Sequence, residues 1–560
     1  MENKTIARTL RLLSQLMELH EENHFKIKSV ANAYFKVDKL PFALKDKPVD
    51  EIDQVDGIGK SLAAKIIELL ETGELQELNT ILQQTPEGVV EMLGIKGIGP
   101  KKILIIWRTL GIETIGELYY ACNENRLIEA KGFGLKTQEE IKNAIEFKLA
   151  ANGRFLFAQV EAFAKNLQAQ ISEWLINVDN HSLLGVAGQF RRSCEIIDEL
   201  EFVIGAEHVE EVQKNLESFE PLSLIAGEDA FITTTETGLR IKIFVVDKTE
   251  FYLEWFKLTG NPEHVAKVLE LAGDGPFSNE EEIYRKAGLA FIEPELREDF
   301  DEIELAKENK LPALITYDDL KGSLHNHSTW SDGVHTLEQM AVYCKDVLNL
   351  QYLGICDHSK TAVYAKGLNE QRVFGQHQEI DELNKKLAPF KIFKGIESDI
   401  LTDGSLDYSD DVLKTFDFVV ASVHSNLRMD EANATSRLLK AIENPYTTIL
   451  GHPTGRLLLS RAGYQIDYKK IIDACAANNV VIEINANPLR LDLDWRWHRY
   501  ALEKGVLLSV NPDAHRTEGF HDMKYGILVA RKGGLNADKC LNAFSLEEIA
   551  TFFDNKKFRV

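Results

Sequence analysis

The chain has little cysteine and no long hydrophobic run. Only six of its 560 residues are cysteine, and none belongs to a Cys-x-x-Cys pair. Such usage disfavours a disulfide scaffold or a structural thiolate zinc site and is typical of a reducing compartment. The sequence also lacks an N-terminal signal and an apolar stretch long enough to cross a membrane. We therefore expect a soluble, cytoplasmic protein with no membrane partner.

Polar residues of the last 240 positions stand at the ends of short apolar runs. The runs are YLGIC, KIFKGI, FDFVVASV, TTILG, VVIEI and VLLSV. Between them lie stretches with helical periodicity, such as LEQMAVYCKDVLNL and YKKIIDACAANN, so the pattern predicts alternating strands and helices. Repeated strand–helix units close into a parallel barrel whose site lies at the carboxyl ends of the strands. The polar residues fall at those ends.

Nine of these residues form a candidate metal-binding set: His325, His327, Asp332, His358, Glu397, His424, His452, Asp513 and His515. A single His or Asp at a strand end is usually a cap, but carboxylates crowded in one cleft require cations. Imidazole and carboxylate without thiolate suit Mn²⁺, which we expect, or Zn²⁺ or Fe²⁺. At about three or four protein ligands per ion, two or three divalent ions fit. Phosphoester hydrolysis is the predicted chemistry, because such ions activate water and clamp phosphoester oxygens.

The chain is acidic, with 88 Asp and Glu residues against 64 Lys and Arg residues and a formal net charge of −24. Part of this acidity lies in the candidate metal cluster, where bound cations would cancel it. Another part lies in stretches such as 293–304, which we expect to be solvated surface or linker. Any nucleic-acid binding should be modest and sensitive to salt.

Five segments of the same region resemble the PHP (polymerase and histidinol phosphatase) domain. They are 323–333, 356–358, 395–397, 451–456 and 511–515. The resemblance runs from about residue 320 to the C-terminus and implies an α/β fold, a distorted (β/α)7 barrel. Ser323 stands where the family often has Asp, but this position lies outside the ligand set.

The resemblance to the PHP domain implies a trinuclear metal site. The implied ligands are His325, His327, Glu397 and Asp513 for one ion, Glu397, His424 and His452 for a second, and Asp332, His358 and His515 for a third. Arg456, on the loop after His452, is a candidate catalytic contact to phosphate through its guanidinium group. A surface ion pair is the alternative for this arginine.

Three Gly-x-Gly turns recur near the N-terminus. They comprise Gly57 and Gly59, Gly97 and Gly99, and Gly132 and Gly134. A glycine pair allows a tight turn, and the following helix presents N–H groups and its positive dipole end to an anion. The turns resemble helix-hairpin-helix units, which bind nucleic-acid phosphates without reading sequence. One such turn is weak evidence, but three turns with lysines beside them predict DNA contact; the lysines are Lys60, Lys96, Lys101 and Lys102.

Residues 1 to about 80 resemble the lyase-type N-terminal domain of family X DNA polymerases. The matching elements are HFKIK at 24–28 and the first Gly-x-Gly turn with Lys65 in the helix behind it. In lyase-competent members, a lysine at the position of Lys65 attacks the C1′ aldehyde of an abasic sugar and forms a Schiff base. Such an amine must be partly deprotonated, which burial or neighbouring cations assist. An exposed, phosphate-binding lysine is the alternative.

The middle of the chain resembles the nucleotidyltransferase palm of the same family. The matching segments are 188–201, 258–261, 282–284 and 294–298. The resemblance thus covers nearly the whole chain, in the order of bacterial family X polymerases that carry a C-terminal PHP domain.

The catalytic positions of this palm are degenerate. They are Gly188, Gln189, Arg191, Arg192, Glu199, Glu201 and Lys242. The family's turn serine is replaced by Gln189, its Asp-x-Asp pair by Glu199 and Glu201, and its third Asp by Lys242. The longer glutamates displace carboxylates that Mg²⁺ needs at about 2.0–2.1 Å. A lysine near a cation is repelled by about 4 kcal/mol at 4 Å and an effective dielectric of 20.

We therefore predict that Mg²⁺ binding and polymerisation at the palm are lost or severely weakened. The palm then persists either as a DNA-binding platform, with Arg191 and Arg192 on backbone phosphates, or as a structural link.

The expected organisation is multidomain. The predicted domains are a lyase-type helical domain with a helix-hairpin-helix (1–80), a helix-hairpin-helix, fingers-like region (81–152), an α+β palm and thumb (153–315) and the PHP phosphoesterase barrel (316–560). At 560 residues the chain is long enough for several domains with cores of their own.

The favoured function is a metal-dependent nuclease that trims DNA 3′ ends or cleaves at abasic sites during repair. Its expected partner is DNA with primer ends, gaps or abasic sites, and the protein is expected to be a monomer. Two alternatives remain. One is an active gap-filling polymerase with the PHP domain as proofreader, against which the carboxylate changes argue. The other is a phosphatase of small phosphomonoesters, against which the three hairpins argue.

Overall fold

The structure, a computed structural model, describes residues 1–95, 97–128, 130–150 and 153–557, with only the backbone of 147–150 and 557. Lys96, beside the second Gly-x-Gly turn, lies outside the described residues. The chain forms two compact units, Met1–Glu146 and Phe147–Val560. Its six cysteines are free thiols. Among the described helices, none combines the length and apolar character needed to span a membrane.

The described part of the first unit is helical. Its helices are α1 (Asn3–Leu19), α2 (His24–Asp38), α3 (Lys60–Thr72), α4 (Gln76–Gln83), α5 (Glu87–Met92), α6 (Pro100–Leu104), which continues as a π-helical turn (Ile105–Thr109), α7 (Ile115–Asn123) and α8 (Leu135–Ala150). In α1 the apolar residues recur every three or four positions, so they share one face. Ile6, Leu10, Leu13 and Met17 are fully buried on that face.

The second unit begins with a palm-like α+β layer. Its strands are β1 (Phe155–Leu156), β2 (Leu183–Val186), β3 (Ile196–Ile197), β4 (Glu199–Ala206), β5 (Ile225–Ala226), β6 (Phe231–Thr234) and β7 (Arg240–Asp247). Five of them form a sheet in the order β2-β4-β7-β6-β5, in which only β4 and β7 are parallel, and β1 pairs with β3 separately.

Helices cover this sheet and extend it into a thumb-like region. They are α9 (Phe157–Val178), α10 (Gly188–Arg191), α11 (Val209–Leu216), α12 (Phe251–Thr259), α13 (Pro262–Ala272), α14 (Glu280–Lys286) and α15 (Glu302–Lys307). Apolar residues of α9 and α11 pack on one face of β4 and β7. On the other face, Phe251 of α12 packs against Val203. The sheet therefore has a buried core on each side.

The C-terminal part of the second unit is a parallel seven-stranded barrel. Its strands are β8 (Gly322–Ser323), β9 (Tyr352–Ile355), β10 (Lys391–Asp399), β11 (Phe418–Ser422), β12 (Ile449–Leu450), β13 (Val481–Asn485) and β14 (Leu508–Asn511). Its helices are α16 (Leu337–Asp346), α17 (Glu370–Leu387), α18 (Asp410–Leu413), α19 (Glu431–Ile442), α20 (Tyr468–Asn478), α21 (His498–Glu503), α22 (Met523–Lys532) and α23 (Leu546–Lys557).

The barrel strands are hydrogen-bonded in sequence order, and a bridge between Asn326 and Ala514 brings the two ends of the sheet together. The barrel is therefore nearly closed, as the strand–helix alternation predicts. Each of the six apolar runs read as a strand overlaps one of β9 to β14. The multidomain fold, with a helical N-terminal region and a C-terminal α/β barrel, is confirmed.

The end of the barrel at the strand amino termini is filled by apolar side chains. Phe553 of α23 stacks on Phe418 of β11, with ring centroids 4.9 Å apart, and meets the edge of Phe393 of β10 at 5.1 Å. Ile549 is buried in the same cluster. With this end closed, the barrel offers its polar residues at the carboxyl ends of the strands.

Candidate metal centre

The nine predicted ligands come together at the carboxyl ends of the barrel strands. His325 and His327 follow β8, His358 follows β9, His424 follows β11, His452 follows β12, Asp513 and His515 follow β14, Glu397 lies in β10, and Asp332 lies in the loop after His327. All of these side chains are at most 11% exposed. The fold thus gathers polar groups that are far apart in sequence into one buried cleft.

Glu397 stands at the centre of this cluster. Its Oε1 lies 3.3 Å from Nε2 of His325, 3.2 Å from Nε2 of His424 and 3.0 Å from Nε2 of His452. Its Oε2 lies 3.0 Å from Nδ1 of His358. The two carboxylate oxygens therefore face different groups of histidines, which is the arrangement of a bridging ligand.

Two further carboxylates complete the clusters. Oδ1 of Asp513 lies 3.0 Å from Nε2 of His327, and Asp332 lies 3.5 Å from Nε2 of both His358 and His515. Ligands about 2.1 Å from a common ion lie about 3.0–3.4 Å apart. The observed separations are close to that range.

Several donor atoms of the cluster lack hydrogen bonds. Nε2 of His325, Oδ2 of Asp332 and Oε2 of Glu397 are buried and make none within the described part of the chain. Buried polar atoms are normally satisfied, and leaving them unpaired is costly. Divalent cations held by the cluster would satisfy these atoms. The donor set, imidazole and carboxylate only, therefore fits bound divalent metal ions.

The electrostatics of the cleft also favour a cation. Burial alone would lower the pKa of His325, but the carboxylates of Glu483 and Glu397 raise that pKa well above its ordinary value. Burial alone would raise the pKa of Glu397, but His424 and His325 lower it well below its ordinary value. The negative potential that favours a proton on His325 would equally stabilise a metal ion, and ligand imidazoles lose their protons when a metal binds.

Glu483, which the sequence-based prediction missed, forms hydrogen bonds with two of the segments that carry the candidate histidine ligands. It lies in β13 and accepts a hydrogen bond from Nδ1 of His325 at 2.7 Å and from the backbone N–H of His452 at 2.8 Å. Such a carboxylate fixes the tautomer and orientation of a metal-binding histidine. The available signal is that Glu483 is the one charged residue in strand β13 and follows an apolar run.

Asp399, also missed, has the same role for His424. It accepts a hydrogen bond from Nδ1 of that imidazole and another from the Thr361 hydroxyl at 2.8 Å. Asp399 follows Glu397 by two positions in β10, so both side chains lie on the same face of the strand. This two-residue spacing could have indicated, from the sequence alone, that Asp399 faces the same cleft as Glu397.

Asp357 shapes the loop between His327 and Asp332. Its carboxylate accepts hydrogen bonds from the backbone N–H groups of Ser328 at 2.8 Å and Ser331 at 3.0 Å, and from the Gln376 amide at 2.6 Å. It lies at the end of β9 but is not one of the nine candidate metal ligands. Its contacts are those of a residue that positions the ligand loop.

Arg456 is held by protein groups. Its Nε donates to the Arg490 carbonyl at 2.9 Å, its Nη1 to Asp494 at 2.5 Å, and its Nη2 to the Leu491 carbonyl. Every guanidinium nitrogen therefore donates to a group of the loop that follows β13. This geometry matches the ion-pair alternative rather than an arginine directed at a bound phosphate.

The first glycine of each Gly-x-Gly turn adopts a left-handed backbone. The φ angles are +82° for Gly57, +96° for Gly97 and +92° for Gly132. Residues with a side chain rarely adopt this conformation, so glycine is needed at these three positions. The three turns share this feature, as expected for repeated hairpins.

The second glycine of each pair faces open space. A side chain at Gly59, Gly99 or Gly134 would meet no atom within 4 Å, so packing does not require these glycines. Gly59 and Gly99 directly precede α3 and α6. A ligand backbone can therefore approach these turns closely.

The lysines beside the turns differ in their surroundings. Lys60 and Lys101 are exposed. Lys102 is half-buried, and its Nζ lies 5.6 Å from the centroid of the Phe133 ring in the third turn. Lys60 and Lys101 are thus placed to meet a phosphate, whereas Lys102 also packs within the unit.

Lys65 is half-buried rather than exposed. Its side chain is 16% exposed and forms an ion pair with Glu77, which also lies 3.2 Å from Nζ of Lys26. Burial and the Lys26 ammonium lower the pKa of Lys65. A lowered pKa increases the fraction of free amine, which is the form that attacks an aldehyde.

The palm residues Glu199, Glu201 and Lys242 lie close together, and Lys242 forms an ion pair with Glu199. β4 and β7 are parallel, with Glu201 opposite Lys242, and Nζ of Lys242 lies 2.7 Å from Oε1 of Glu199. Burial and the neighbouring Glu199 raise the pKa of Glu201 to about 7. The negative charge of this site is thereby partly cancelled by Lys242 and partly removed by protonation.

The turn before these strands is closed by side chains. Gln189 accepts a hydrogen bond from the backbone N–H of Asp198 at 2.7 Å and donates to the Asp198 carboxylate at 2.9 Å. Gly188 has φ +63°, and a side chain there would collide with Glu201.

The paired arginines of the palm are internal contacts. Arg191 forms an ion pair with Glu280 and stacks on Trp255, with 3.4 Å between the guanidinium carbon and the ring centroid. Arg192 pairs with Glu298 at 2.8 Å. Both side chains are less than 15% exposed. They tie α10 to the thumb-like region, as in the structural-link alternative.

The parallel barrel and its cluster of histidines and carboxylates define a PHP-type fold with a candidate metal centre, preceded in the chain by helical hairpins and a palm-like layer. Comparison with known proteins agrees with this class. A family model described as a helix-hairpin-helix domain matches residues 1–75, and one described as a SAM-like helix-hairpin-helix tandem matches 89–146.

The chain is 34% identical to DNA polymerase/3′–5′ exonuclease PolX of Bacillus subtilis (strain 168), over 99% of both chains. It is also similar to probable phosphatases. One from Caldanaerobacter subterraneus subsp. tengcongensis is 34% identical over 38% of this chain and 82% of its own length. Another, from Vibrio atlanticus, is 28% identical over 35% and 79%. The chain therefore belongs to the PolX family.

Proposed function

We propose that the protein is a metal-dependent phosphodiesterase that removes nucleotides from DNA 3′ ends or cleaves DNA at abasic sites during repair. The observation that carries the proposal is the convergence of nine ligands around Glu397, whose two oxygens face separate histidine groups. Phosphodiester cleavage is the reaction for which a cluster of two or three ions is suited. The 3′–5′ exonuclease named in the Bacillus subtilis relative agrees with this reading.

The nine side chains would hold two or three divalent ions, of which Mn²⁺ suits the donor set best and Zn²⁺ or Fe²⁺ is compatible. When bound, such ions supply a hydroxide at neutral pH and neutralise charge on the phosphate. The chain's own residues fix the geometry. Glu483 and Asp399 orient His325 and His424 through their Nδ1 atoms, so that each Nε2 points into the cleft. Asp357 holds the loop that carries Asp332.

We propose that the hairpin turns of the first unit hold the DNA. Their second glycines are open to close approach, and Lys60 and Lys101 are exposed beside them. Contacts of this kind bind phosphates without reading sequence, which suits an enzyme that acts at ends, gaps or abasic sites. We further propose that the protein acts as a monomer in the cytoplasm.

The palm, in this proposal, does not extend primers at a useful rate. Nucleotidyl transfer requires carboxylates that hold two cations against the triphosphate and the primer end. The Lys242–Glu199 ion pair and the raised pKa of Glu201 leave little negative charge for them. The runner-up is an active polymerase with a proofreading barrel, which the name of the Bacillus subtilis relative favours.

The proposal is tested with purified protein, Mn²⁺ and DNA labelled at its 5′ end. We expect shortening from the 3′ end or incision at an abasic site, and we expect His327→Ala or Asp513→Ala to abolish both. Bound metal, measured by elemental analysis, should fall in the same variants. Full cleavage by either variant would overturn the assignment. A small phosphomonoester serves as the competing substrate: faster turnover of that compound than of DNA would favour the phosphatase alternative.

A further inference from the structure

A short helical turn after β9, Val363–Ala365, carries a tyrosine to the metal cluster. Tyr364 is half-buried, and its ring centroid lies 6.1 Å from that of the His358 imidazole. Burial alone would lower the pKa of His424, but neighbouring groups, the Tyr364 phenol first among them, raise that pKa well above its ordinary value. The phenol therefore lies beside two of the candidate ligands.

The two imidazoles beside Tyr364 face different oxygens of one carboxylate. Nδ1 of His358 lies 3.0 Å from Oε2 of Glu397, and Nε2 of His424 lies 3.2 Å from Oε1. The centroids of the two imidazole rings are 5.1 Å apart. These histidines belong to different ions in the predicted ligand set, and two ions of one centre clamp the oxygens of a phosphodiester between them. Tyr364 is thus placed next to the expected position of the phosphate.

The turn that carries the tyrosine is fixed on both sides of it. The backbone N–H of Thr361 donates to Asp407 at 2.7 Å, and the Thr361 hydroxyl donates to Asp399, the carboxylate that orients His424, at 2.8 Å. Ala362 and Ala365 are fully buried. The turn is therefore anchored to the same carboxylate as one of the candidate ligands. A donor held in place in this way needs no reorganisation when a substrate binds.

A phenol is chemically suited to this position. Tyrosine hydroxyls are among the side-chain donors that enzymes direct at oxygens on which negative charge develops during the reaction. The imidazoles and carboxylates of the cluster are suited to the ions, whereas the tyrosine hydroxyl can donate a proton to a hydrogen bond with phosphate. Stacking of a nucleobase on the ring is the other use of an aromatic side chain at a DNA-cleaving site. Removal of the hydroxyl alone separates these two uses.

We propose that Tyr364 is a catalytic residue whose hydroxyl donates a hydrogen bond to the phosphate group held at the metal centre. The inference rests on the proposed function, because it assumes that phosphodiesters are cleaved there. It adds to the candidate ligands a residue that contacts the substrate rather than a metal ion.

The test uses the full chain loaded with Mn²⁺ and bis(p-nitrophenyl) phosphate, a small phosphodiester whose cleavage does not require DNA binding by the hairpins. The variants are Tyr364→Phe and Tyr364→Leu. Val363→Ala is the control for a disturbed turn, because Val363 is the 80% exposed neighbour of the tyrosine. Tyr500→Phe is the matched control for a lost phenol hydroxyl, since that hydroxyl donates to Asp473 at 3.0 Å.

Two measurements without turnover accompany the kinetics. The affinity for Mn²⁺ is measured by competition with a chelator. Binding of inorganic phosphate to the Mn²⁺-loaded protein is measured from the broadening of the phosphate signal in phosphorus NMR. Together they separate a contact to phosphate from an effect on the metal ligands.

We expect Tyr364→Phe to lower kcat/KM by about 10- to 100-fold and to weaken phosphate binding by about tenfold, the range for a lost hydrogen bond to a charged group. The affinity for Mn²⁺ should stay at the wild-type value. Tyr364→Leu should lose about as much as Tyr364→Phe, because the hydroxyl rather than the ring makes the contact. Val363→Ala and Tyr500→Phe should behave as the wild type does.

Three results would overturn the inference and leave the proposed function intact. Wild-type kinetics and phosphate binding in Tyr364→Phe would show that the hydroxyl makes no such contact. A loss in Tyr364→Leu alone would assign the effect to the ring. An equal loss of Mn²⁺ affinity in Tyr364→Phe would mean that the tyrosine only arranges the ligands. A wild type that binds Mn²⁺ but cleaves neither DNA nor the small phosphodiester would instead overturn the proposed function itself.

Discussion

The Lys242 ammonium lies 2.7 Å from the Glu199 carboxylate, on two adjacent parallel strands of the palm. The resemblance to the nucleotidyltransferase palm implies that Lys242 places a positive charge where that family holds a metal ion. The neighbouring Glu201 has a pKa of about 7, because burial and Glu199 disfavour its ionised form. The ion pair and the partial protonation of Glu201 leave this site with little net negative charge to hold a cation.

This loss of negative charge predicts that the protein does not extend a primer. The measurement is template-dependent incorporation with Mg²⁺ or Mn²⁺ in a His327→Ala background, so that degradation cannot hide synthesis. We expect no incorporation above that of a Glu199→Ala/Glu201→Ala control. Robust extension that disappears in this control would restore the polymerase reading.

The carboxylates behind the histidine ligands should tune the metal centre without binding metal. We expect Glu483→Gln and Asp399→Asn each to lower metal affinity or nuclease activity by about 10- to 100-fold, the usual effect of removing such a partner. Metal affinity is measured by competition with a chelator that reports Mn²⁺. Glu443→Gln, at the exposed end of α19, is the control and should behave as the wild type does. Unchanged metal affinity in both variants would show that these carboxylates only pack.

The sequence made most of the barrel, and the convergence of the candidate ligands at one end of it, predictable for a physical reason. Strands buried on both faces read as continuous apolar runs, and their carboxyl ends converge, so residues such as His452 could be placed from pattern alone. Strand β8 could not be recognised as an apolar run, because it spans only Gly322–Ser323. Its two ligands were found through the His-x-His spacing and the family resemblance.

Other features depend on side-chain partners, which a sequence does not show. Asp399 and Glu483 were missed because their positions in the strands show that they face the cluster, but not whether each carboxylate binds a metal ion or an imidazole. From the sequence, two interpretations were open for Arg191 and two for Arg456. The ion-pair partners that decide between them, Glu280 and Asp494, lie 89 and 38 residues away in the chain. Ion pairs between residues so far apart in the sequence can be identified only once the fold is known.

The hairpin turns should matter for DNA binding beyond their effect on stability. Gly97 and Gly73 both have left-handed backbones, at φ +96° and +79°, and a side chain at either would meet open space. Alanine at either position should therefore cost a similar amount, about 1 kcal/mol of unfolding free energy. Only Gly97→Ala should also weaken duplex binding in an anisotropy assay, because Gly73 ends α3 outside a Gly-x-Gly turn. Equal binding losses in the two variants would assign the effect to folding.

Lys65 should form a covalent adduct with abasic DNA. Its pKa is lowered by burial and by Lys26, so a larger fraction of its amine is free at neutral pH than for an ordinary lysine. Borohydride reduction should trap the Schiff base as a band of higher mass on a denaturing gel, and Lys65→Ala should remove that band. Lys4→Ala is the control, since Lys4 is an exposed lysine of α1 in the same unit and has no role in the hairpin turns. Unchanged trapping in Lys65→Ala would reject the lyase assignment.

His498 should make the stability of the second unit depend on pH. The imidazole is fully buried, its Nε2 donates to the Leu493 carbonyl at 3.0 Å, and burial lowers its pKa to about 4. The unfolded state, with a pKa near the ordinary value of about 6.5, then binds more protons than the folded state between these two values. Stability contributed by the neutral imidazole is complete above pH 6.5 and is lost as the pH falls towards 4, by about 3 kcal/mol in total.

The prediction is checked with His498→Gln, which keeps an N–H donor but cannot take up a proton. Scanning calorimetry at several pH values between 8 and 4.5 should show a steep fall in the unfolding temperature of the wild type and a shallower fall in His498→Gln. The variant should be the less stable protein at pH 8, because glutamine fills the site less well, and the two curves should converge as the pH falls. The exposed His181 provides the control, and His181→Gln should follow the wild type. Parallel curves for the wild type and His498→Gln would mean that this histidine does not titrate in the range.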